Sequence, residues 1–113
     1  MKEADLAKIT RKLLQGSGLV FWRVSNGGVL HKMGGKTIMK KSEIAGFPDW
    51  AGVTRNGTFW ALELKSESGR VSDAQIDWMD KLNDTHAIVG LARTVEQVIT
   101  FIETVGGKIP KIS

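Results

Sequence analysis

The chain has 113 residues, 42% of them apolar, a net charge of +4 and no cysteine. That length sustains one domain over residues 1–113 with its own core, and the missing cysteines exclude disulfide frameworks, thiolate zinc sites and thiol nucleophiles. No run is long and apolar enough to span a bilayer, and the charged start MKEADLAKIT lacks the apolar stretch of a signal peptide; the expected location is the cytoplasm of a bacterial or phage-infected cell, with no membrane partner.

Residues 3–15 place Leu6, Ile9 and Leu13 at helical spacing, and Gly16 and Gly18 stop the run. LVFWRV (19–24) reads as a strand. From Asn26 to Gly46 the chain is rich in Gly and Lys, which predicts a long loop or a ragged hairpin, a segment of the kind that usually serves function. FPDWAGV (47–53) and TFWALELK (58–65) flank Asn56-Gly57 and predict a β-hairpin. Ser72 caps a helix over 72–83 with Ile76, Met79 and Leu82 on its apolar side. HAIVGLA (86–92) is a further strand, and Thr94 caps a last helix bearing Val95, Val98, Ile102 and Val105, with a tail over 107–113. The order αβββαβα predicts an α+β domain, a mixed sheet packed with helices.

WALELK (60–65) sets a carboxylate and an ammonium in a strand that otherwise belongs in a core. Side chains two apart share a face, so Glu63 and Lys65 point one way and Leu62 and Leu64 the other. The turn decides whether Asp49 joins them. A two-residue Asn56-Gly57 turn sets Asp49 opposite Leu64, on the wrong face; a three-residue Arg55-Asn56-Gly57 loop with Gly57 left-handed sets it opposite Glu63. In the second register two carboxylates confront each other, which calls for a shared proton or a divalent cation. Oxygen donors with no cysteine and no histidine cluster favour Mg²⁺, with Mn²⁺ also suitable, and such a site fits phosphodiester hydrolysis. The bland readings are an exposed Glu63–Lys65 surface pair and a turn role for Asp49 after Pro48.

Basic residues cluster at Lys32, Lys36, Lys40 and Lys41 in the 26–46 stretch and at Lys8, Arg11 and Lys12 in the first helix, a field suited to a polyanion, though many solvated surfaces share it. Ser72-x-x-Gln75 is also a capping box, so the bland reading of Gln75 is a helix-start residue only, although it precedes Met79 by four and so faces the core side. The four tryptophans are read as core or interface aromatics, and His31, His86, Glu43 and Glu67 as solvated groups.

Pro48-Asp49, Glu63-Leu64-Lys65 and Gln75 on the following helix resemble the PD-(D/E)XK nuclease superfamily and its restriction-endonuclease-like core. GFPDWAGV, ELKSESGRVSDAQIDW and the upstream WRVSNGGV are similar in order and spacing to the VRR-NUC branch, over roughly residues 3–102. The resemblance implies that Asp49 and Glu63 bind the metal with the Leu64 carbonyl as third ligand. It implies further that Lys65 orients water or stabilises the transition state, that Gln75 supports it, and that Glu3 reaches the metal through water. Lys32, Lys36, Lys40, Lys41 and Arg70 are the expected DNA-backbone contacts. The implied activity is a metal-dependent, structure-selective endonuclease, a Holliday-junction resolvase acting as a homodimer on branched or double-stranded DNA. The rivals are a flap, nicking or restriction-type nuclease, and an idle DNA-binding module of the same fold.

Overall fold

A computed structural model describes residues 1–25, 29–40 and 43–110. Helix α1 (Glu3–Gln15) begins with Glu3 and Asp5 and ends with Lys12, charges that suit the helix dipole at each end. Its buried stripe is Leu6, Thr10 and Leu14, four residues apart, while Ile9 and Leu13 sit half-buried at its flank. Thr10 is tolerated in that stripe because its hydroxyl donates to the Leu6 carbonyl at 2.8 Å and brings no unmet polar group into the core.

Strand β1 (Val20–Arg23) follows, and then β2 (Val29–Met33) and β3 (Lys36–Lys40), an antiparallel pair joined through Gly34-Gly35. Of the two readings of the Gly- and Lys-rich stretch, the hairpin holds over 29–40, as a two-stranded sheet of its own. Strands β4 (Trp50–Val53), β5 (Phe59–Leu64) and β6 (Ile88–Ala92) join β1 in a four-stranded sheet ordered β1-β4-β5-β6. The first three strands are antiparallel, and β6 runs parallel to β5 after the crossover through α2 (Asp73–Asn83). Helix α3 (Val95–Thr104) closes the order, which without the inserted hairpin is αβββαβα.

The β4–β5 turn takes the three-residue form. Gly57 has φ +88°, its amide donates to the Thr54 carbonyl at 2.9 Å, and the Thr54 amide donates to the Thr58 carbonyl at 2.8 Å. The ladder then reads Val53↔Phe59, Gly52↔Trp60, Ala51↔Ala61 and Trp50↔Leu62. One more step sets Asp49 beside Glu63.

That register divides the sheet into two unlike faces. Trp50, Trp60, Leu62 and Leu64 look towards α1 and α3, where with Leu6, Leu14, Val98, Phe101 and Ile102 they form the core, none more than 9% exposed. Fully burying each such side chain is worth roughly 1.5–3 kcal/mol. The other face carries Val20, Trp22, Ala51, Phe59, Ala61 and Glu63 and is covered less completely, with Val20 63% and Trp22 43% exposed. Trp22, expected as a core or interface aromatic, is not part of the core, because it lies on β1 at the sheet edge. Trp78 donates its indole N–H to the Ala45 carbonyl at 3.1 Å and packs edge-on against Phe47, so α2 straps residues 45–47 onto this second face. Helix α2 has no fully buried residue; Met79 and Leu82 are half-buried and Ile76 is 44% exposed.

The tail expected over 107–113 is tied down as far as Pro110. Lys108 N donates to Ser17 O at 2.9 Å, Ile109 packs on the core, and Pro110 covers Gly16. Residues 111–113 lie outside the described residues.

Candidate active site

Asp49 and Glu63 meet at the end of the β4–β5 ladder. Pro48 has no N–H to offer a strand, and regular pairing begins at Trp50. Beyond that point the Leu64 amide donates to Asp49 Oδ2 at 2.9 Å, which fixes the carboxylate against β5. Glu63 is 2% exposed, an unusual burial for a carboxylate. Its Oε1 accepts from Gln75 Nε2 at 3.0 Å, while its Oε2 is buried with no hydrogen-bond partner. Burial first, then the charge of Asp49 and a hydrogen bond to its carboxyl, push Glu63 up to about 8; Lys65 pulls the other way, and Glu3 adds a smaller upward push. With both groups ionised nothing donates between them; one proton makes the bond.

Gln75 makes the capping box, and its side chain reaches Glu63 rather than the Lys65 it was expected to support. Its Oε1 accepts from Ser72 N at 2.9 Å and its backbone N–H donates to Ser72 Oγ at 3.2 Å, completing the capping box. Because the cap takes the amide oxygen, the amide nitrogen is left to face Glu63. The start of α2 is thereby fastened to the carboxylate pair. Gly46 brings α2 close: at φ +88°, a Cβ there would sit 2.7 Å from the backbone and side chain of Ala74. Gly46→Ala is expected to destabilise the fold by roughly 2–4 kcal/mol, from left-handed strain plus the clash, read as a lowered midpoint in urea unfolding.

Lys65 follows the last residue of β5, half-buried, its amide donating to Ala92 O at 3.0 Å. Among the described residues no carboxylate lies within 4.0 Å of its ammonium, so the charge acts on the site without being locked into an ion pair. Arg93, which the sequence reading passed over, holds the turn after Lys65: its Nη1 donates to the carbonyls of Ser66 at 2.8 Å and Gly69 at 2.6 Å. The signal for it lies in the parallel register, where Leu64 pairs with Ala92 and Lys65 therefore neighbours Arg93.

Glu3 starts α1 as an exposed side chain whose charge reaches Glu63, but the described residues contain no group of three or more acids or histidines able to hold a metal. The donors that converge are two carboxylates, with the Leu64 backbone beside them. Arg70 is exposed two residues ahead of the α2 cap, and Lys36 is exposed at the hairpin tip. Lys32 and Lys40 are placed by backbone alone, opposite Thr37 and Val29, and Lys41 lies outside the described residues. His86 and Glu43 are exposed, as is Glu67, at 84%, which lies 3.9 Å from the N-terminal amine. A divalent oxygen-seeking cation fits this donor set, which offers an unpartnered buried carboxylate oxygen near a second carboxylate.

The fold is a mixed α/β domain whose sheet gathers two carboxylates, a lysine and a helix glutamine at one end. The chain belongs to the VRR-NUC domain family, whose family model matches residues 1–96. That makes it a nuclease-type DNA-processing domain, of a family that generally uses divalent metals. A solved structure described as a VRR_NUC domain superposes with a TM-score of 0.63 at 20% identity, covering 91% of this chain and 96% of that one, a likeness of fold. A search of curated proteins finds no match.

Proposed function

We propose that the chain is a metal-dependent, structure-selective DNA endonuclease, and that its substrate is a four-way junction cut by two copies of the chain. The observation that carries the reading is the buried Glu63 carboxylate, with one oxygen unpartnered, facing Asp49 beside Lys65. Asp49 and Glu63, with the Leu64 carbonyl, would hold Mg²⁺ or Mn²⁺, and Glu3 would act through water. A bound cation supplies Lewis-acid polarisation of the phosphodiester and offsets its growing negative charge. The chain's own groups do the rest. The Leu64 amide aims Asp49, and the Gln75 amide holds one oxygen of Glu63 so that the other is presented to the site. The Lys65 ammonium donates to the attacking water or to the phosphoryl oxygens, where charge accumulates in the transition state.

Two features favour a branched substrate handled by a pair. The described residues of one chain bring together the Asp49–Glu63 carboxylate pair, and symmetric nicks across a junction need two such sites, which a two-fold dimer would provide. The cations of the chain, Lys32, Lys36, Lys40, Lys41 and Arg70 among them, suit backbone contacts without base reading. Cleavage of a mobile four-way junction, a 5′ flap and a linear duplex of equal length, with and without Mg²⁺, tests the reading. Paired nicks in the junction alone are expected. Preference for the flap or the duplex would replace the substrate class, and binding without cleavage under every divalent metal would reduce the chain to an idle module.

A further inference from the structure

Trp50 is 1% exposed although its strand lies next to the edge of the sheet. Phe21 covers part of its ring, with centroids 5.9 Å apart. The core residues of α1 and α3 bury it further, and two cations lie over it: the guanidinium carbon of Arg11, from α1, is 4.9 Å from the ring centre, and that of Arg23, from β1, 5.5 Å from it. Both residues are exposed, and among the described residues neither has a carboxylate within 4.0 Å. Two like charges on one indole repel. Each lies over the ring's electron-rich face, which favours a cation, and both side chains remain exposed to solvent. Two guanidinium forks over one ring present N–H donors of the kind that match the oxygens of a phosphate.

The place of the pair says which phosphate. Arg23 is the ladder partner of Trp50, the residue after Asp49, and the Val24 amide donates to the Asp49 carbonyl at 2.8 Å. The cations therefore lie at the same end of the sheet as the carboxylates, on its opposite face and next to the edge strand β1. We infer that Arg11 and Arg23, held on Trp50, bind the phosphodiester backbone of the DNA arm that leaves the carboxylate pair and passes round the β1 edge. This deepens the nuclease reading and rests on DNA as the substrate. The contact carries no base information; it lengthens the footprint and sets the direction in which the arm departs.

The test uses methionine, which keeps an apolar cover over Trp50 while removing the charge. Binding of a four-way junction and of a linear duplex is measured in EDTA, over a range of salt, for the parent chain and for Arg11→Met, Arg23→Met and the double variant. Each single variant is expected to raise Kd severalfold and to lower the slope of log K against log salt by about 0.9, the double variant by about twice that. In the unsubstituted chain, DNA is expected to protect Arg11 and Arg23 from phenylglyoxal while Arg55, in the turn at the far end of the sheet, stays reactive. Unchanged Kd and slope in folded Met variants, or equal modification of both arginines with and without DNA, would overturn the pair and leave the nuclease reading intact. A chain that shows the slope changes and the protection but cuts nothing with Mg²⁺ or Mn²⁺ would do the reverse. A parent chain that binds no DNA even at low salt overturns both.

Discussion

Lys65→Ala is expected to lower the single-turnover cleavage rate of a four-way junction by about 10²–10³-fold, with the unfolding midpoint almost unmoved. The ammonium stands at the end of β5, half-buried, with no carboxylate within 4.0 Å among the described residues, so the fold does not lean on it. Its one visible effect is on the site, where its charge lowers the affinity of Glu63 for a proton. Removing it deletes a donor aimed at developing negative charge and also deletes a repulsion felt by any bound divalent ion. The two consequences have opposite signs, which separates this lysine from the ligands. Lys65→Ala should bind Mn²⁺ as tightly as the parent chain or more so while cutting far more slowly; Asp49→Asn should lose both. Lys65→Arg keeps the charge but replaces a compact ammonium by a planar fork and is expected to rescue little of the rate. A Lys65→Ala chain that cuts within threefold of the parent would remove the lysine from the chemistry.

Much of this site was legible in short stretches of sequence, because the interactions that build it are local. The Arg55-Asn56-Gly57 loop could be weighed against a two-residue turn from residue types alone, and the choice between them moves Asp49 from one face of the sheet to the other. Ser72 and Gln75 announced their cap by spacing. What stayed hidden depends on parts of the chain far apart in sequence. Arg93 comes beside Lys65 only through the parallel β5–β6 pairing, which no local pattern specifies. The stacking of Arg11 and Arg23 on Trp50 needs α1, β1 and β4 together. The exposure of Trp22 follows from its place on an edge strand, a property of strand order and not of the tetrapeptide VFWR. The two readings of Gln75 also left one end of its amide unassigned: its oxygen serves the cap and its nitrogen reaches Glu63, a partner that neither reading named.

In the absence of divalent metal, the protein is expected to lose stability as pH rises from 5 to 9, and Glu63→Gln is expected to abolish that loss. The folded chain holds the Glu63 proton up to about 8, because burial and the neighbouring Asp49 penalise the charged form, whereas the unfolded chain releases it near the ordinary glutamate value. A raised folded pKa contributes stability that is fully present below the unfolded pKa and disappears as pH climbs through the folded one. The loss is on the order of a few kcal/mol, a drop of roughly 10 °C or more in the melting midpoint of a domain this size. Glutamine fits without rearrangement: its oxygen accepts from Gln75 Nε2 as before, and its NH₂ takes the position of the unpartnered Oε2 and donates to Asp49. The general trend of a basic chain runs the other way, since rising pH lowers its net positive charge, so the difference between parent and variant isolates Glu63. Mg²⁺ competes with the proton for the same oxygens. It should raise the midpoint of the parent strongly at pH 8.5, weakly at pH 5.5, and that of Glu63→Gln little at either. Melting curves of the two chains at both pH values, with EDTA and with Mg²⁺, decide the matter: parallel pH profiles for parent and variant would show that the Glu63 proton is not what the carboxylate pair withholds from solvent.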